Sequence, residues 1–167
     1  LDGTIIEPQE GIINSVLFSL NKMGIKENDL DSLKKFIGPP LIDSFKKYYN
    51  FDTQKADEAV KYYREYFSSK GIDENSLYKN IETLLKDLNT KNINLFIATS
   101  KPTLFAKKIL ENYEIDDLFE QITGSNLDNT RKNKHEIIDY VLSENKLSKN
   151  ESIMVGDRCF DIIGAKK

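Results

Sequence analysis

Short apolar runs alternate with helical patterns through the second half of the chain, and this alternation narrows the folds that the chain can adopt. Three apolar runs have the length of buried strands: residues 93–99, 121–124 and 152–155. Three segments around them space their apolar residues as amphipathic helices do: residues 81–88, 104–113 and 135–143. Helices that alternate with buried strands predict an α/β fold, in which a parallel sheet carries helices on both faces.

The first half of the chain lacks strand patterns and predicts helices only. Helical periodicity or helix boundary residues mark four segments: 10–23, 29–36, 41–49 and 52–70. We therefore expect residues 11–75 to form an all-helical domain, inserted into an α/β core made of residues 1–10 and 76–167. Because the chain does not begin with Met and its last residues fall inside a helical pattern, we expect this core to be truncated at both ends.

The charge of the chain argues against nucleic-acid and membrane partners. The net charge is −3 and the pI is about 5.3, whereas a DNA- or RNA-binding domain usually has a basic patch and a high pI. No apolar run in the sequence approaches the roughly 18 residues that span a bilayer, and no secretory signal is visible. Cys159 is the single cysteine, so no intrachain disulfide can form, which fits a cytoplasmic protein.

Four polar segments follow predicted strands or begin the next element, at the edge of an open parallel sheet where ligands bind. They are Asp2-Gly3-Thr4, Thr99-Ser100-Lys101, Lys134, and the pair Asp157 and Asp161. Each segment alone has an ordinary interpretation: a turn, a helix start, a solvated lysine and an acidic surface. Their order favours chemistry instead, because a phosphate monoester needs a carboxylate, hydroxyl and ammonium groups, and a divalent cation such as Mg²⁺.

The same segments resemble the four motifs of the haloacid dehalogenase-like superfamily of phosphohydrolases, which occur in this order on a Rossmann-like sheet. Within that superfamily the chain is similar to the phosphoglycolate phosphatase group, which carries a helical (C1-type) cap after the first motif. The resemblance rests on six stretches: residues 1–4, 36–41, 98–102, 124–128, Lys134, and 155–165. It covers nearly the whole chain and implies an α/β core with residues 11–75 as the cap domain.

The resemblance also implies roles for the residues of the first two motifs. Asp2 would be the general acid that protonates the leaving alkoxide and then activates water, and its backbone carbonyl would contact Mg²⁺. Gly3 would permit the sharp turn after the strand, and Thr4 would orient Asp2. Thr99 would donate a hydrogen bond to a phosphoryl oxygen, with the Ser100 backbone nearby.

The other two motifs would supply positive charge and the metal. Lys134 would offset the negative charge of the nucleophile and the phosphate. Asp157 would bind Mg²⁺ directly, and Asp161 directly or through water. The nucleophilic aspartate of the superfamily would lie two positions before Asp2, immediately before Leu1, where this chain does not extend; the chain alone is therefore expected to give no covalent turnover.

The function that the resemblance implies is Mg²⁺-dependent hydrolysis of a small phosphate monoester through an aspartyl-phosphate intermediate. The expected substrate is 2-phosphoglycolate, followed by a nucleoside 5′-monophosphate; pyrophosphate and sugar phosphates stay open. Two alternatives remain, a phosphomutase on the same core and a catalytically inactive binding module. The expected partner is a small phosphorylated metabolite bound by a monomer or homodimer.

Overall fold

The polypeptide divides into two compact units at the two points where it leaves and re-enters the α/β part. The computed structural model describes residues 1–128, 130–131 and 133–167. One unit contains Leu1–Glu7 with Leu77–Lys167, and the other contains Pro8–Ser76. These limits lie within a few residues of the boundaries expected from the sequence, at 11 and 75.

The unit of residues 8–76 is helical, as its patterns predict. Five helical elements follow one another in it: α1 (Gln9–Lys22), a 3₁₀ helix (Asp31–Phe36), α2 (Leu41–Tyr49), α3 (Thr53–Tyr66) and a π-helical turn (Phe67–Gly71). The two longest helices pack on each other, and the hydroxyl of Ser19 in α1 donates to the carbonyl of Ala59 in α3 at 2.7 Å. Asp52 caps α3, because its carboxylate accepts a hydrogen bond from the Lys55 N–H at 2.8 Å.

The second unit is built around a parallel pair of strands. β3 (Phe96–Pro102) lies beside β4 (Gln121–Ser125), with Phe96, Ile97 and Ala98 opposite Gln121, Ile122 and Thr123. The remaining elements of this unit are β1 (Ile6–Glu7), α4 (Ile81–Thr90), α5 (Thr103–Asn112), α6 (Lys134–Glu144), α7 (Cys159–Ala165) and 3₁₀ turns at Asp116–Leu118 and Lys149–Glu151. Helices α5 and α6 pack against both strands, as the alternation of elements predicts, and Ile97 of β3 is buried.

The strands differ from the sequence prediction in two ways: one predicted strand is absent, and one pair of strands was not predicted. Residues 152–155 are no strand: Ser152 has extended dihedrals (φ −117°, ψ 140°), but this segment pairs in neither sheet of the described residues, and the Ile153 side chain is 91% exposed. An apolar run can predict extended backbone, yet it cannot supply the neighbouring strand that a ladder requires. The other difference is a two-stranded sheet of β1 and β2 (Ser76–Leu77), whose two-residue strands are too short for any periodic pattern.

Candidate active site

A tight turn at residues 1–6 brings the Gly3 backbone against the carboxylate of Asp157, a residue far away in the sequence. The Leu1 carbonyl accepts hydrogen bonds from the N–H groups of Thr4 and Ile5, and the Gly3 N–H donates to the Ile6 carbonyl. Gly3 has a φ of +73°, the left-handed region that favours glycine. A Cβ atom at Gly3 would lie 2.3 Å from Oδ2 of Asp157, so the backbone here approaches Asp157 more closely than any other residue type permits.

Lys134 and Asp161 form a buried ion pair. The Lys134 Nζ lies 2.8 Å from Oδ1 of Asp161, and the two side chains are only 12% and 9% exposed. The same ammonium donates to the Ala98 carbonyl of β3 at 3.1 Å, which ties the start of α6 to the sheet. The second carboxylate oxygen of Asp161 accepts the Arg158 N–H at 3.1 Å.

This pairing sets the charge of Asp161. Burial alone would raise the pKa of its carboxyl, but the hydrogen bond and positive charge of Lys134, together with the Arg158 N–H, outweigh burial and hold the pKa below its ordinary value. Asp161 is therefore a carboxylate, both of whose oxygens already have partners. That environment suits a residue that orients Lys134, or that reaches a metal through water, better than a direct metal ligand.

A second ion pair joins the first motif to the end of β3. The Lys101 Nζ lies 3.1 Å from Oδ1 of Asp2, with the two side chains 7% and 17% exposed. This oxygen accepts no hydrogen bond from the described residues, although the Lys101 ammonium lies within ion-pair distance of it. The sequence places Lys101 beside Thr99 and Ser100, but it predicts no role for this lysine, because nothing in a single lysine at a strand end indicates which residue it pairs with.

Thr99 is buried at the same strand end. It is 4% exposed, and its hydroxyl oxygen accepts the Lys101 N–H at 3.2 Å, which leaves the hydroxyl proton for another acceptor. The neighbouring Ser100 carbonyl accepts a hydrogen bond from the Ser125 hydroxyl of β4 at 2.9 Å, so the adjacent strand holds this loop in place. Thr4 joins the turn through its backbone, as the contact with Leu1 shows.

The prediction for the metal names two carboxylates, those of Asp157 and Asp161, and the backbone carbonyl of Asp2. Within the described residues, no three His, Cys, Asp or Glu side chains lie close enough together to hold an ion. Asp2 is beside Lys101, Asp161 is beside Lys134, and Asp157 lies 3.5 Å from the Arg158 Nε with its side chain 37% exposed. The oxygen donors that fit Mg²⁺ are the Asp157 carboxylate, which lies against the Gly3 backbone, and the carbonyl of Asp2, the residue that precedes Gly3 in the chain. They form part of a ligand set, and Mg²⁺ usually completes its coordination with water and phosphate oxygens.

The family model described as "Haloacid dehalogenase-like hydrolase" matches residues 1–167. The chain belongs to this family. The resemblance stated from the motifs and the α/β fold with a parallel sheet are thereby confirmed. At this edge of the sheet, the described part of the chain has a tight turn that carries Asp2, a buried threonine hydroxyl and two lysine–carboxylate pairs.

Individual haloacid dehalogenase-like proteins match most of the chain. A 5′-nucleotidase of Pseudomonas aeruginosa is 44% identical over 167 residues, which are all of this chain and 76% of that protein. The tyrosine-protein kinase PtkA of Mycobacterium tuberculosis is 33% identical over 165 residues, 99% of this chain and 56% of the kinase. The crystal structure of a predicted phosphatase from Clostridium acetobutylicum superposes with a TM-score of 0.95 at 47% identity, covering 98% of this chain and 76% of that one. Among the residues that the structure describes, no helix has the length and apolarity to cross a bilayer.

Proposed function

We propose that the protein is a Mg²⁺-dependent phosphatase that hydrolyses small phosphate monoesters, with nucleoside 5′-monophosphates as its preferred class. The observation that carries the proposal is the buried Lys134–Asp161 pair beside the end of β3. The Asp161 carboxylate orients the Lys134 ammonium and holds it next to the end of β3, where Thr99 lies. An anion that enters this edge of the sheet would meet a pre-oriented positive charge and a free hydroxyl proton.

In the phosphoryl-transfer step, each site residue of the chain would have a separate role. Thr99 would donate its hydroxyl proton to a phosphoryl oxygen, and Lys134 would balance the charge of the phosphate. Asp2 would give its proton to the leaving oxygen, and would then take a proton from the water that attacks the phosphoenzyme. The nucleophile would be an aspartate immediately before Leu1, which forms and then loses an aspartyl phosphate.

Asp157 and the Asp2 carbonyl would hold Mg²⁺, with Asp161 acting through water or through Lys134. The bound cation would neutralise charge on the phosphoryl oxygens. We assign the helical unit of residues 8–76 the role of a cap that selects the substrate, because a separate unit that closes over a substrate excludes water and commits that substrate to reaction.

The names of the relatives change the expected order of substrate preference. The motif resemblance alone places 2-phosphoglycolate before nucleoside 5′-monophosphates, whereas the relative at 44% identity is named a 5′-nucleotidase. The name of a relative that is 44% identical over the whole chain supports the nucleotide class more strongly than motif resemblance supports 2-phosphoglycolate. We therefore put nucleoside 5′-monophosphates first and 2-phosphoglycolate second.

The test is phosphate release by the protein expressed from its complete gene. The panel contains nucleoside 5′-monophosphates, 2-phosphoglycolate, sugar phosphates and pyrophosphate, each assayed with Mg²⁺ and with a chelator. Mg²⁺-dependent release that is fastest from the nucleotides supports the proposal, and faster release from 2-phosphoglycolate restores the first expectation. No release from any member, by a folded protein, contradicts hydrolysis and favours a mutase or a binding module.

One relative gives a specific reason to test transfer to an acceptor other than water. PtkA is named a tyrosine-protein kinase and is 33% identical to this chain. A second arm therefore follows labelled phosphate from the enzyme to sugar phosphates and to tyrosine-containing peptides. Label that appears in an acceptor, with little free phosphate, would replace hydrolysis by transfer as the proposed reaction.

A further inference from the structure

Lys101 has no role in the proposed mechanism, although it forms one of the two buried ion pairs that we describe at this edge of the sheet. The Lys101 side chain is 7% exposed, so its ammonium has little access to water. Oδ1 of Asp2 is buried and has no hydrogen bond from a described residue, and Lys101 is the charge beside it. Because the Asp2 side chain as a whole is 17% exposed, its exposed part lies on atoms other than Oδ1.

A bulge in β3 puts Lys101 in this position. Ala98 is opposite Thr123 and Pro102 is opposite Ser125, so four steps along β3 correspond to two steps along β4. The extra residues lift the segment 99–101 out of the ladder, which is how bulges redirect side chains. Gly124 permits this arrangement, since a Cβ atom there would lie 2.0 Å from the Lys101 carbonyl.

We infer that Lys101 is a positioning residue for the general acid, an inference that rests on the proposed phosphatase function. Lys101 holds Oδ1 of Asp2 in the protein interior and so leaves the other carboxyl oxygen for the leaving group. When the bond between phosphorus and the leaving oxygen breaks, that oxygen keeps the electron pair and takes the proton of Asp2. Asp2, which is protonated before this step, thereby returns to the carboxylate that pairs with the Lys101 ammonium, and the ammonium stabilises that charge.

This role has a signature that a purely structural or phosphate-binding lysine lacks. An alkoxide leaving group, such as that of a nucleoside 5′-monophosphate, needs a proton in the transition state. The p-nitrophenolate ion leaves without one, so the hydrolysis of p-nitrophenyl phosphate depends little on a general acid. Replacing a residue that acts through Asp2 should therefore slow the hydrolysis of the nucleoside 5′-monophosphate and have little effect on the hydrolysis of p-nitrophenyl phosphate.

The experiment compares Lys101→Met with the parent protein on both substrates, using the protein from the complete gene and saturating Mg²⁺. General acid catalysis is typically worth 10²- to 10⁴-fold, so we expect kcat/KM for the nucleotide to fall about 100-fold or more. For p-nitrophenyl phosphate we expect a change of less than about tenfold, on the same reasoning. Lys101→Arg, which keeps the charge, should recover most of the nucleotide activity, and Lys108→Met on the exposed face of α5 should match the parent.

A double variant separates action through Asp2 from other effects. In an Asp2→Asn background, Lys101→Met should cause no further loss of nucleotide hydrolysis, because residues that act as a unit are not additive. If Met at this position lowers the melting temperature, Lys101→Gln provides the same comparison. Equal losses on both substrates, or a further loss in the Asp2→Asn background, would overturn the inference. Failure of the parent protein to hydrolyse either substrate would instead reject the proposed function.

Discussion

A methyl group at Gly3 should displace Asp157 and thereby test whether that carboxylate belongs to the site. In Gly3→Ala the new Cβ would lie 2.3 Å from Oδ2 of Asp157, whereas ordinary contact begins at 3.4 Å. The carboxylate must therefore withdraw by about 1 Å, and a misplacement of about 1 Å in a catalytic site can cost about 100-fold in rate. The left-handed backbone adds a stability cost of about 1–2 kcal/mol for any residue with a Cβ.

Gly24 offers a matched control for the backbone cost. Its φ is +74°, against +73° for Gly3, and a Cβ atom there would meet nothing within 4 Å. Gly24→Ala should therefore lose the same stability, about 1–2 kcal/mol, without any loss of activity. Urea unfolding measures the stability of both variants, and Mg²⁺-dependent phosphate release measures their activity.

The two variants together test whether Asp157 belongs to the metal site. We expect kcat/KM to fall about 100-fold in Gly3→Ala alone, with the Mg²⁺ concentration for half-maximal rate rising in the same variant. If both variants keep parental activity while both lose stability, the carboxylate of Asp157 has no catalytic position to lose, and the assignment of Asp157 to the metal is wrong.

Two further predictions concern charge. Lys134→Met leaves Asp161, a carboxylate 9% exposed, without its ammonium; removing one partner of a buried pair should lower the free energy of unfolding by about 3–5 kcal/mol. Urea unfolding should show that the double variant Lys134→Met/Asp161→Asn recovers part of the lost free energy of unfolding. If the double variant is as unstable as Lys134→Met alone, the two residues are not coupled. In the helical unit, the Asp29 N–H, the Tyr49 hydroxyl and the Asn28 N–H donate to Glu27 and hold its pKa below 4.5. Because the folded pKa is lowered, Glu27 should add stability above pH 4.5 and lose it as the pH falls through the folded pKa. Glu27→Gln should thus be less stable than the parent at pH 7 and converge with it in acid, whereas a constant difference down to pH 3 would contradict this sign.

The sequence predicted the elements whose apolar residues repeat over several turns or fill a buried strand. Helix α2 (Leu41–Tyr49) has the predicted bounds, and α6 (Lys134–Glu144) extends one residue beyond its prediction at each end. These segments carry their own periodicity, so local pattern suffices. The run at 152–155 has the same apolar character, but a strand also needs a partner, and pairing is a property of the neighbours rather than of the run.

For the candidate site as well, the sequence indicates the motif residues but not the contacts that they make in three dimensions. The order of the motifs identified Asp2, Thr99, Lys134 and the two later aspartates as site candidates, and their assigned roles remain predictions. Which lysine pairs with which carboxylate depends on the bulge after Ala98 and on the close approach at Gly3, and neither feature has a periodic signal. Lys101 was missed for that reason, since its partner is set by a redirected backbone.

The most direct test of the account is the dependence of phosphate release on Mg²⁺ and on Asp157, measured with a nucleoside 5′-monophosphate and the protein from its complete gene. We predict release by the parent protein with Mg²⁺, none with a chelator, and a loss of about 100-fold or more in Asp157→Asn even at saturating Mg²⁺, in keeping with a lost metal ligand. Release that survives both the chelator and Asp157→Asn would contradict a Mg²⁺-dependent phosphoryl-transfer site at this edge of the sheet.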